Sequence, residues 1–111
     1  MIRLGLAVAT MLFIACGGDE GVGSQGDVVG GPCRIDGDCA SRCATGGDYP
    51  GGTCTRSCLS DADCPEGTAC IDNEGGICLL SCELPADCRD GYSCEGRPNK
   101  GRDGDSLVCR N

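Results

Sequence analysis

Residues 58–78 read CLSDADCPEGTACIDNEGGIC, four cysteines punctuated by aspartates and glycines. The same grammar recurs on both sides of this stretch. Upstream stand Cys33, Cys39, Cys43 and Cys54; downstream stand Cys82, Cys88, Cys94 and Cys109. In each quartet the first gap is five residues. The second gap is three, five and five residues, and the third is ten, seven and fourteen. Three residues separate neighbouring quartets, and equivalent cysteines recur at about 24–25 positions, as in Cys33 to Cys58 and Cys58 to Cys82. A period of this size marks repeated small units, here 33–54, 58–78 and 82–109.

Other residues keep the beat. Asp38-Cys39, Asp63-Cys64 and Asp87-Cys88 are equivalent, with Asp36, Asp61 and Pro85 two positions before those aspartates. Gly67 and Gly91 sit three before Cys70 and Cys94, and Gly52-Thr53-Cys54 matches Gly76-Ile77-Cys78. Each unit reads as an acidic turn, a glycine turn and a short extended piece closing on cysteine. Cys54 and Cys58 lie four apart, as do Cys78 and Cys82. In an extended strand that spacing puts both on one face, where each can close a different unit.

The composition fits this reading. The chain has 111 residues, with 13 Cys, 20 Gly, two Tyr, one Phe and neither Trp nor His. Beyond the N-terminal segment the large apolar residues thin to a scatter: Ile35, Leu59, Ile71, Ile77, Leu79, Leu80, Leu84, Leu107 and Val108. So few cannot offset a backbone entropy of roughly 1–2 kcal/mol per residue. Cross-links must supply much of the stability. Six bridges closing loops of about 12–15 residues would each contribute roughly 3 kcal/mol. The expected fold is small and disulfide-rich, with irregular tandem Cys-rich modules, short β-hairpins, and an N-terminal signal helix removed on maturation.

Residues 1–16 read MIRLGLAVATMLFIAC. Arg3 precedes an apolar run, Leu4–Ala15, that suits a signal peptide and is too short for a bilayer span of roughly 20 residues. Phe13-Ile14-Ala15-Cys16 resembles the lipobox of bacterial lipoproteins, with Phe13 where that motif usually has Leu. The resemblance implies that 1–15 is a lipoprotein signal peptide and that Cys16 begins the mature chain with lipid on its sulfur. It also implies an exported protein of the outer membrane or cell surface, because Gly17 rather than Asp follows Cys16. Parity agrees independently: without Cys16, twelve cysteines remain, an even number as a disulfide framework requires. Residues 17–32, GGDEGVGSQGDVVGGP, then read as a flexible tether reaching roughly 20–25 Å.

The middle unit, 58–78, resembles the Dickkopf N-terminal cysteine-rich motif, and the likeness extends across about 33–109. That motif also occurs in short bacterial lipoproteins without an animal-type signalling role, so the resemblance implies a Cys-rich module rather than an activity. The first unit departs from it in the short Cys39–Cys43 gap, and the last in the long insert 95–108. Spacing alone does not determine connectivity. The working hypothesis joins first to third and second to fourth cysteine within each quartet.

The formal charge is −8, and −9 once residues 1–15 and their Arg3 are removed. Such acidity repels nucleic acid and anionic lipid surfaces. The expected partners are the membrane, through a lipid anchor, and a protein or glycan. With no His, the commonest general base and the Ser-His and Cys-His nucleophile pairs are missing. Asp36/Asp38 and Asp61/Asp63 read as turn formers. Zinc could use the C-x3-C gaps, but an oxidising location disfavours free thiolates. Asp103-Gly104-Asp105-Ser106 offers hard oxygens for calcium, without the longer pattern of an EF-hand. No cofactor or resident metal is therefore expected. Arg97–Arg102, the basic cluster in the longest inter-cysteine loop, reads either as a recognition loop or as a solvated one. The function expected from sequence is a lipid-anchored, non-catalytic binding or structural module. The alternatives are a small inhibitor of an extracellular enzyme and a calcium-binding module.

Overall fold

Each quartet builds the same object, a one-turn 3-10 helix followed by a β-hairpin. A computed structural model describes residues 21–111. The expected signal peptide, Cys16 and residues 17–20 lie outside the described residues. The 3-10 turns are Asp36–Asp38, Asp61–Asp63 and Pro85–Asp87. The first hairpin pairs β1 (Arg42–Ala44) with β2 (Thr53–Thr55). The second pairs β3 (Thr68–Ile71) with β4 (Ile77–Leu80). The third pairs β5 (Ser93–Pro98) with β6 (Asp105–Arg110). All three pairings are antiparallel.

The register sets the third and fourth cysteines of each quartet directly opposite one another: Cys43 and Cys54, Cys70 and Cys78, Cys94 and Cys109. None of these facing pairs is bonded. The bonds run back to the turn instead, as Cys33–Cys43, Cys39–Cys54, Cys58–Cys70, Cys64–Cys78, Cys82–Cys94 and Cys88–Cys109. This is the first-to-third, second-to-fourth pattern in every quartet. Cys54 and Cys58, and likewise Cys78 and Cys82, close different units.

The turn aspartates hold the 3-10 segments to the chain before them. Asp38 Oδ2 accepts the N–H groups of Arg34 and Ile35 (2.9 and 3.3 Å). Asp63 accepts that of Leu59 (2.8 Å), and Asp87 those of Glu83 and Leu84 (2.9 and 3.0 Å). The earlier aspartate reaches the other way: Asp36 accepts the Cys43 N–H and Asp61 the Cys70 N–H, each at 2.9 Å. Pro85 offers no carboxylate for that bond in the third unit. The glycine of the Gly-x-Cys ending is there for space. A Cβ on Gly52 or Gly76 would overlap the carbonyl oxygen of Cys33 or Cys58, and both glycines have positive φ, 74° and 114°.

The units are not independent beads. Ala44, Tyr49, Ala69, Ile71, Ile77, Leu79 and Val108, drawn from all three, form one buried cluster. The buried Thr55 hydroxyl donates to the Cys78 carbonyl at 2.6 Å, and Cys78 N–H donates to Arg56 O at 3.0 Å. Asn73 donates to the Tyr49 hydroxyl at 2.6 Å. Arg110 pairs with Asp48 at 2.8 Å, and the Asn111 side chain donates to Gly47 O at 3.0 Å, tying the C-terminal end to the first hairpin loop. Of the apolar scatter, Ile71, Ile77, Leu79 and Val108 are buried, whereas Ile35, Leu59, Leu84 and Leu107 stay exposed.

Two segments differ from expectation. Residues 21–31 of the expected tether are docked on the body. Val22 pairs with Val29, Gly30 N–H donates to Cys54 O (2.9 Å), and Cys54 N–H donates back to Gly31 O (2.8 Å). Val29 is fully buried against Cys58, Cys70 and Cys78. The glycines read as flexible are packing glycines here: a Cβ on Gly26 would strike Gly21 O, and one on Gly31 would strike Gly26 O. The insert 95–108 is also no free loop. Most of it is the third hairpin, and its tip lies on the second unit, where Lys100 N–H donates to Cys70 O (3.0 Å) and Asp72 N–H to Pro98 O (2.9 Å).

Gly76→Ala combines left-handed backbone with a steric overlap, whereas Gly75→Ala meets only its φ of 85°, with open space around the new methyl. The expected cost is about 1 kcal/mol for Gly75→Ala and more than about 2 kcal/mol for Gly76→Ala. Guanidinium unfolding of the oxidised variants measures this, and equal costs would contradict the packing role.

Candidate functional site

The side chains singled out from sequence fall into three groups: the paired cysteines, the acidic turns, and the basic tip of the third hairpin. Among the described residues, three clusters bring metal-ligating atoms together: Cys33/Cys39/Cys43, Cys58/Cys64/Cys78 and Cys82/Cys88/Cys109. Every one of these sulfurs is in a disulfide, so none is a thiolate ligand. Asp103 and Asp105 belong to no such cluster. The Ser106 hydroxyl donates to Asn99 Oδ1 (2.6 Å) and accepts from Arg102 (3.0 Å), so it is already engaged.

Two of the three cations of the basic tip are paired with carboxylates. Arg102 pairs with Asp61 at 2.7 Å and Arg97 with Glu95 at 2.7 Å. Asn99 is buried. Arg42 pairs with Glu74 at 3.7 Å. Arg89 lies 4.6 Å above the Tyr92 ring, donates to the Tyr92 hydroxyl at 2.8 Å, and donates to Gly52 O across the units. Each of these ion pairs cancels one carboxylate, so the acidic excess of the chain is carried by its unpaired Asp and Glu. Sequence reasoning missed the Arg89–Tyr92–Gly52 junction, and an isolated Arg three residues before an isolated Tyr gives no periodic signal for it.

The cavities are modest. A small void of about 10 Å³, lined by Gly30, Thr53, Leu79, Arg89 and Tyr92 among others, has room for about one water. An open depression of about 380 Å³ lies beside Pro32, Cys33, Arg34, Asp38 and Gly51. Neither groups a nucleophile with a base.

Three aspartates are held below the ordinary carboxylate value. For Asp38 the cause is the N–H of Arg34 and then of Ile35. For Asp87 it is the N–H of Glu83 and then of Leu84. For Asp61 it is the Cys70 N–H, then the Arg102 guanidinium. Burial pushes Tyr49 and Tyr92 above the usual phenol range.

Comparison with protein-family models, curated proteins and solved structures finds no match. What the structure defines is a small disulfide-rich protein with three short antiparallel hairpins among the described residues. No helix among the described residues is long and apolar enough to cross a membrane. Six disulfides are the chemistry of an oxidising compartment.

A depressed folded pKa stabilises the fold above the ordinary value of 3.8 and loses that contribution as pH falls through the folded value. The amide resonances of Arg34, Leu84 and Cys70 should therefore titrate with midpoints below 3.8 in an NMR pH series. Midpoints at or above that value would contradict the bonding described. Under graded phosphine reduction with mass mapping, Cys58–Cys70 should resist longest. Both its sulfur-bearing residues are buried beneath Val29, and early loss of that bridge would contradict the packing.

Proposed function

We propose that the protein is an exported, lipid-anchored, non-catalytic module that presents a rigid acidic surface to a protein or glycan partner at the outer membrane or cell surface. One observation carries this reading. All twelve cysteines from Cys33 to Cys109 pair with one another, two bonds to a unit, so the framework has no use for Cys16. That remaining cysteine closes the segment resembling a lipobox, where a thiol is needed for lipid attachment rather than for cross-linking.

The non-catalytic part draws on the absence of His from the chain, on the engagement of Asp36, Asp38, Asp61, Asp63 and Asp87 as backbone acceptors, and on arginines tied into internal pairs. The resemblance of 58–78 to the Dickkopf motif supports a shared style of small Cys-rich module and assigns no signalling role.

Intact-mass analysis of the chain expressed in a Gram-negative host tests the anchor. The expected product begins at Cys16, carries a diacylglycerol and an N-acyl group, and takes up no alkylating reagent without reduction. Cleavage elsewhere, or a mass without lipid, would overturn the reading.

A further inference from the structure

We propose that residues 21–31 are a fixed strap that seats the folded body directly on the bilayer holding it, rather than a tether that displays it at a distance. The inference rests on the anchor reading for its biological setting. Its structural basis is the docking of a segment whose composition suggests flexibility. Asp27 O accepts the Ala40 N–H (2.7 Å), Val28 N–H donates to Gly21 O (2.7 Å), and Gly23 N–H donates to Val29 O (3.0 Å). The last two bonds fold the segment on itself, and the first ties it to the first unit. Gly30 and Gly31 then exchange backbone bonds with both sides of Cys54, and Val29 is sealed against the second unit's cysteines. The strap thus touches two units and is attached along most of its length.

Chain length then sets the geometry. From Cys16 to Gly21 there are only five peptide links, a span of at most about 17 Å. A free chain from Cys16 to Cys33 has seventeen links and a contour of about 58 Å. The body is also strongly acidic, so an anionic bilayer repels it over a Debye length of about 30 Å at 0.01 M salt. The short link holds the body inside that distance, whereas a free tether would let it recede. The strap, with its exposed Ser24 and Gln25, is thus held in the membrane-adjacent layer, and any partner must be reached there.

The test supplies the anchor chemically, so that failure of natural lipidation is seen separately. The chain beginning at Cys16, with its six disulfides formed, is coupled through the Cys16 thiol to a maleimide phospholipid. It is then placed on a supported bilayer containing anionic lipid. Neutron reflectometry reads the gap between headgroups and protein at about 0.15 M and about 0.01 M salt. The expected gap stays under about 20 Å at both. A wild-type layer whose gap exceeds about 20 Å at low salt would overturn the proposal. A variant with a Gly/Ser insertion of about twelve residues between Gly18 and Asp19 leaves the body untouched and should recede at low salt. If it stays as close as wild type, adhesion rather than the short link sets the gap, and the strap account fails.

Discussion

The structure depends on a choice made at three pairs of facing cysteines. Cys70 and Cys78 sit opposite each other across a hairpin, close enough in register to be natural partners. A bond between them would close only the hairpin, and a lone two-stranded hairpin is marginal in water. Instead each reaches back to the 3-10 turn, so strand, turn and returning strand are locked by two interleaved loops. The loops 58–70 and 64–78 overlap in sequence, and opening one leaves the other in place. The aspartate and glycine contacts are refinements on that covalent frame. They fix how the turn leans on the hairpin once the bonds have brought it there.

The frame alone would give three linked knots. Their union comes from a small shared core. Tyr49 from the first hairpin loop, Ile71, Ile77 and Leu79 from the second hairpin and Val108 from the third bury one another. Each buried aliphatic or aromatic side chain contributes about 1.5–3 kcal/mol relative to exposure. Few such residues exist, so placing them at the junction of the units binds the repeats to each other, while the disulfides hold each unit internally. The polar groups left at the junction are satisfied across it, as in Thr55 to Cys78 O and Asn73 to Tyr49.

What was legible in the sequence follows from which constraints are local. The Asp-Cys beat marks the acidic turns, because Asp38, Asp63 and Asp87 act on amides three or four residues away, though it does not show that those turns are 3-10. The cysteine period announced the units, and even spacing announced that Cys54 and Cys58 would serve different ones. In sequence the strap reads as a tether, because its glycines look alike whether they confer freedom or permit close backbone approach. Only the neighbouring carbonyls at Gly26 and Gly31 tell the two apart. The tip at 97–102 reads as solvated or available for recognition because its charges are conspicuous. Its ion-pair partner Asp61 lies 41 positions from Arg102, beyond any local pattern. Tyr49 and Val29 passed unnoticed for the same reason, since neither belongs to a periodic apolar face.

The return of the C-terminal end to the first hairpin loop has a consequence for growth. In an open stack each repeat touches only its neighbours, and another can be added at the end. Here Arg110 and Asn111 occupy Asp48 and Gly47 of the first unit, while Arg89 of the third engages Gly52 of the same unit. The array is closed on itself. A fourth quartet spliced after the third would have to evict these contacts before it found a surface of its own. Among the described residues the three units thus contact one another in a closed set rather than in an open row.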